Sequence, residues 1–183
     1  MPLPAPACAR STSHQRSITI RAYARTDGLW DIEGHLTDAW PEPVPMASGM
    51  LPAGEPMHSM WLRLTVDRTA TIVAAHAVTD AGPYGRACGA IAPDYRQLVG
   101  LRVARGYRDA IRKLFGRTAG CTHINELAGA MGSAVLQALW DEMTQASDEK
   151  PFSIDGCHAL KSSSQQVAQF FPRWYRPQPD GAQ

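Results

Sequence analysis

The chain has 183 residues, 44% of them hydrophobic and 19% charged, enough for one domain with a real core. Its formal net charge of +1 argues against a broadly basic nucleic-acid-binding surface, and no window has the apolar length of a membrane span. "MPLPAPACAR" also lacks a continuous apolar stretch of leader length, so a cytoplasmic location is expected, with Cys8, Cys88, Cys121 and Cys157 reduced. In that setting cysteines serve as ligands, nucleophiles or core filler rather than as a disulfide framework.

In chain order, residues 1–16 are rich in Pro, Ala and Ser and read as a disordered tail, with Cys8 an idle thiol. From Ser17 the pattern alternates strictly: Ile18, Ile20, Ala22 and Ala24 share one face, and Thr19, Arg21 and Tyr23 the other. Asp27-Gly28 supplies a hairpin turn before a second strand around Leu29 to Leu36. Residues 41–56, with five prolines, read as a loop without regular structure. Met60, Leu62, Leu64 and Val66 alternate in a third strand, and "TIVAAHAVTD" returns as a fourth, so an antiparallel sheet is the economical arrangement.

The second half reads as helical. Tyr107, Ala110, Ile111 and Leu114 mark one helix face, which Gly116 ends. Ile124, Leu127, Met131, Val135, Ala138 and Leu139 form the stripe of a longer helix, with Thr122 as its expected N-cap. After Pro151, "QQVAQFF" fits either a terminal hairpin or a short helix ending before Pro172, and residues 176–183 read as a tail. The expected class is α+β: one domain over 17–175, an antiparallel sheet packed on one face by helices.

Chemistry concentrates in thiols and imidazoles. His58 opens the third strand, Cys88 follows the fourth, and Cys121 and His123 stand at the mouth of the long helix. In an antiparallel pair the start of one strand lies beside the end of the next, so these positions can meet at one end of the sheet. His58, Cys88 and Cys121 are then candidate ligands for a single Zn or Fe ion, and the helix N-terminus favours thiolate at Cys121. The competing reading makes the two cysteines buried small hydrophobes and His58 a turn residue. His123 is a candidate acid/base, fourth ligand or ligand support, and Tyr84 a candidate catalytic hydroxyl. Cys157 and His158 repeat the pairing and could supply a fourth ligand if the tail folds back. Asp27, Asp31, Glu33 and Asp38 could include a general base or a ligand from a neighbouring strand. However, Asp27 is explained by its turn, and Asp31 and Glu33 by a shared solvated strand face.

The stretches "PMHSMWLRLTVD", "IVAAHAVTDAGPYGRAC" and "GCTHINELAGAMGSAVLQAL" resemble the layout of iron–sulfur cluster scaffold proteins and their zinc-binding sulfur-acceptor relatives. The resemblance implies a scaffold-like core with N- and C-terminal extensions, with three cysteine positions matched here by His58, Cys88 and Cys121. His58 stands where those families carry the first cysteine, and Met60 where an acidic residue usually follows, so an iron–sulfur cluster is less favoured than one mononuclear ion. The pieces "YARTDGLWDIEGHLTD", "GEPMHSMWLRLTVD", "GPYGRAC", "LVGLRVARGY", "GCTHINEL" and "DGCHAL" resemble more closely a bacterial family of unknown function (domain of unknown function 2889). The expected function is a mononuclear Zn or Fe enzyme of hydrolytic or lyase type acting on a small organic molecule. The alternative is a non-catalytic metal, iron–sulfur or sulfur carrier that docks on a partner protein.

Overall fold

The computed structural model describes residues 3–145 and 150–177; of the tails expected at 1–16 and 176–183, residues 1–2 and 178–183 lie outside the described residues. Six strands form: β1 (Gln15–Ala24), β2 (Trp30–Ala39), β3 (Val44–Met46), β4 (Gly49–Leu51), β5 (Pro56–Val66) and β6 (Ile72–Ala81). The helices are α1 (Arg86–Ala90), α2 (Tyr107–Phe115), α3 (Thr122–Ala138), α4 (Trp140–Gln145) and α5 (Gln165–Phe170). The chain divides into two compact units, Met1–Leu139 and Trp140–Gln183.

In the first unit, β1, β2, β5 and β6 make one antiparallel sheet in the order β1-β2-β5-β6. Alternation decides its two faces. Ile32, Leu36, Met60, Leu62, Leu64 and Val66 are buried on one side, where Ile124, Leu127, Met131 and Val135 of α3 are buried too. Trp61 and Arg63, on the other face, are exposed. The class is α+β, with helices on one face, as the periodicities predict. The inward positions of β6 are Ala75, Ala77 and Thr79, opposite Leu64, Leu62 and Met60, and the 3-10 segment Ala92–Leu98 packs along this strand. That segment has no clear period, and sequence reading assigned it no element, yet its Tyr95 and Leu98 are fully buried.

Local chemistry accounts for other differences. The strand begins at Gln15, two residues before the alternation from Ser17 indicates. The Pro-rich loop contains the hairpin β3–β4, closed through Ala47 and Ser48; its Pro45 pairs with Met50 in an isolated two-stranded ribbon, a setting that tolerates proline. Cys121, not Thr122, occupies the N-cap position of α3, and no side-chain bond caps the helix. No described helix is long and apolar enough to cross a membrane.

In the second unit, the short-helix alternative for "QQVAQFF" is the one realised. Ser164 Oγ accepts the Val167 N–H at 3.2 Å and caps α5, whose Val167 is buried. Trp140 and Phe152 meet edge to face with ring centroids 5.7 Å apart.

Gly34 sets how closely α3 approaches the sheet. A Cβ there would lie 2.8 Å from both Leu127 Cδ1 and Met131 Sδ, so the helix rests on bare backbone at the centre of β2. Gly34→Val should therefore destabilise the fold by about 1–3 kcal/mol through overpacking, measured by denaturant unfolding. Unchanged stability would mean that α3 is free to shift outward.

Candidate metal centre

The centre grows out of a single row across the sheet. Register places Arg16 of β1 opposite Asp38 of β2, and Asp38 opposite His58 of β5. Directly opposed residues share a face, and this row continues the inward positions Ile32, Gly34 and Leu36. A carboxylate thus occupies the last buried place of an apolar stripe; the Asp38 side chain is 1% exposed.

Four donors meet that carboxylate. Arg16 binds it in a fork, Nε to Oδ1 and Nη2 to Oδ2, both at 2.8 Å. His14 Nε2 lies 2.9 Å from Oδ1, its ring 4.5 Å from Trp40, and His58 Nδ1 lies 3.0 Å from Oδ2. Burial alone would raise the Asp38 pKa; the Arg16 hydrogen bonds and charge, with His14 and His58, outweigh it and bring it down to about 2. Arg16 is itself tied to α3 through Glu126 Oε2 at 2.5 Å.

His123, in the first turn of α3, completes the group. Its ring stacks on that of His58 at 3.8 Å between centroids. Its Nε2 lies 3.7 Å from Asp38 Oδ2, and Nδ1, on the other side of the ring, lies 3.8 Å from Cys121 Sγ. Burial lowers the pKa of His123, and the nearby His58 and Arg16 lower it further, so the ring is neutral at pH 7. Asp38, His58 and His123 each offer a ligand atom, all within 4.8 Å of one another.

The residues fit a cation. Arg16 and His14 meet Oδ1 and Arg16 and His58 meet Oδ2, so a cation would take the place of the proton between His58 Nδ1 and Oδ2, with His123 Nε2 3.7 Å from the same oxygen. Neutral imidazole is also the ligating form. Two histidines and one carboxylate form a donor set suited to zinc or non-haem iron with open positions.

Beside this group lies a cavity of about 520 Å³, and His58, Cys88, Cys121, His123 and Tyr84 all line it. The five residues singled out from sequence therefore meet in one place. They do not stand equally close to the cluster. Cys88, on α1, has its Sγ 2.9 Å from where a Cβ of Gly82 would lie, so it packs on the chain leaving β6. Tyr84 is 74% exposed at the rim. Cys121 is fixed by Tyr95, whose hydroxyl accepts the Cys121 N–H at 2.9 Å and donates to Asn125 Oδ1 at 2.6 Å. Cys157 and His158 belong to the second unit, and Cys8 and Cys157 are exposed. The carboxylates explained by structure are explained so here: Asp27 pairs with Arg25, Asp31 accepts from Thr65 Oγ1 at 2.6 Å, and Glu33 faces Arg63 at 3.7 Å.

Sequence reasoning missed His14 and Arg16, which composition assigns to a tail, and named Asp38 only among other acids. One signal was available. Arg16 has the parity of Ile18 and Ile20, and Asp38 that of Ile32 and Leu36, so each is a charge continuing an inward row.

Because the folded-state pKa of Asp38 lies below its ordinary 3.8, its stabilisation is complete above about pH 4 and is lost as pH falls through 2. Unfolding free energy measured from pH 6 downwards should show that loss, and Asp38→Asn should flatten it. Arg16→Ala, which strips a buried carboxylate of its main partner, should lower stability at neutral pH by on the order of 3 kcal/mol. An acid limb unaltered in Asp38→Asn would assign the pH dependence to other carboxylates.

No curated protein and no solved structure matches the chain. Residues 14–137 match the family described as Protein of unknown function (DUF2889), a segment that begins at His14, holds Arg16, Asp38, His58, Cys88, Cys121 and His123, and stops short of the second unit. The match spans about two thirds of the chain, and the protein belongs to the DUF2889 family.

Proposed function

We propose that this protein is a mononuclear zinc or iron enzyme, of hydrolytic or lyase type, acting on a small organic molecule. The observation that carries the proposal is the convergence of His58 Nδ1, at 3.0 Å, and His123 Nε2, at 3.7 Å, on Asp38 Oδ2 beside an open cavity. These three residues would hold the ion, with Cys121 and Cys88 in the adjoining wall. When bound, such an ion polarises a substrate oxygen or lowers the pKa of a water molecule.

The chain's own groups supply the rest. Arg16 keeps Asp38 ionised and immobile, so its oxygen is presented without reorganisation. Cys121 Sγ lies 3.8 Å from His123 Nδ1, the ring nitrogen through which metal-bound histidines are commonly supported, so it can help keep Nε2 directed at Asp38. Among the described residues no Asp, Glu, Lys or Arg lines the cavity, whose walls include Met60, Pro83, Ala87 and Ile91. That lining suits a substrate with an uncharged, partly apolar body.

The carrier alternative draws on the same residues. Iron–sulfur clusters are held chiefly by several thiolates, whereas the tight group here offers one carboxylate and two imidazoles, which favours a single ion.

Elemental analysis of protein purified without a histidine tag, aerobically and anaerobically, tests the reading. About one equivalent of zinc or iron is expected in the wild type, falling roughly tenfold or more in His58→Ala and His123→Ala and unchanged in Cys8→Ser. A wild type without metal under both conditions, or full metal in both histidine variants, would sink the proposal.

A further inference from the structure

The two edges of the main sheet are treated differently. At β6, Thr71 bridges to Arg102, the Ile72 N–H bonds Leu101 O at 2.9 Å, and the 3-10 segment Ala92–Leu98 packs alongside. At β1, among the described residues, only β2 pairs with the strand. The other side presents the outward N–H and C=O groups of alternate residues along a ten-residue strand.

An edge of this length usually carries a guard: a proline, a bulge, a lysine or a covering segment. "QRSITIRAYA" has no proline or lysine, its one charge on the open face is the exposed Arg21, opposite Glu33 of β2, and its register with β2 runs unbroken from Gln15↔Ala39 to Ala24↔Trp30. Arg16 is turned to Asp38 and Glu126 and does not guard the edge. Ile18, on the helix-facing side, is 37% exposed, and Tyr23, on the open face, is 45% exposed.

We propose that β1 pairs with β1 of a second copy of this chain, antiparallel about a two-fold axis through Thr19, joining two four-stranded sheets into one continuous sheet. Such an axis stands perpendicular to the sheet, so each residue meets one of the same parity. Centred on Thr19, the pairing sets Ile18 against Ile20 twice, Arg16 against Ala22, Ser17 against Arg21 and Gln15 against Tyr23. Both isoleucines are matched, and no like charges are opposed. Centring on Ile20 gives one Ile–Ile pair, and centring on Arg21 brings two guanidiniums together. The strand is thus self-complementary in one register, which a second copy satisfies. This inference is independent of any metal.

Light scattering on the full chain at high micromolar concentration should give the mass of two chains. Replacing Ile18 and Ile20 together by Lys should halve that mass with far-UV circular dichroism unchanged. In a background of Cys8→Ser and Cys157→Ser, Thr19→Cys should form a disulfide-linked dimer on mild oxidation, because each copy's Thr19 faces the other's, whereas Ser17→Cys should not. The cysteine pair decides the matter even if the lysine variant misfolds. A monomeric wild type, a dimer that survives both lysines in a folded protein, or cross-linking at Ser17 rather than Thr19 would overturn the proposal.

Discussion

The interaction on which the rest of the site depends is the forked pair between Arg16 and Asp38. A carboxylate that ends a buried apolar row is tolerable only with a cation held against it, because an unpaired buried charge is among the most destabilising features a fold can contain. Arg16 meets that need from the neighbouring strand and reaches on to Glu126 of α3. One guanidinium therefore joins the start of β1, the end of β2 and the first turns of the long helix. With Asp38 ionised and anchored, His14 and His58 have a fixed acceptor.

The second constraint is steric. The bare backbone of Gly34 lets α3 lie directly on β2, with Leu127 and Met131 over it. That contact sets the helix's position, and with it the place of His123 in the first turn. Tyr95 fixes the N-cap from beneath through Cys121 and Asn125, and its ring stacks on Phe115 at 4.3 Å. His123 thus arrives at Asp38 from a helix held at two points, by packing at Gly34 and by hydrogen bonds at Tyr95. The buried core and the polar centre are consequences of the same docking.

Much of this was legible in the residues. Alternation in Met60, Leu62, Leu64 and Val66 and the helical stripe from Ile124 to Val135 specify the sheet and its cover, because each period fits only one kind of element. Antiparallel neighbours also bring His58 and Cys88 to one end of the sheet. The residues 92–98 were not legible: a 3-10 segment buries Tyr95 and Leu98 without repeating a pattern long enough to see. Arg16 was hidden for another reason, since a polar residue at the boundary of a Pro- and Ser-rich segment looks the same whether it is solvated or pinned.

By itself, then, the sequence determined the class of the fold and the pairing of β1 with β2 and of β5 with β6, because hydrophobic period and short connections leave few alternatives; the β3–β4 ribbon and the cavity that His58, Cys88, Cys121, His123 and Tyr84 line together are seen only in the tertiary structure. Only the tertiary structure decided which carboxylate matters. Asp27, Asp31, Glu33 and Asp38 are alike in one dimension. Register alone sets Asp38 between Arg16 and His58, and helix docking alone brings His123 to it. Parity along a strand tells which face a residue takes, but the charges it will meet there belong to strands and helices far away in the chain.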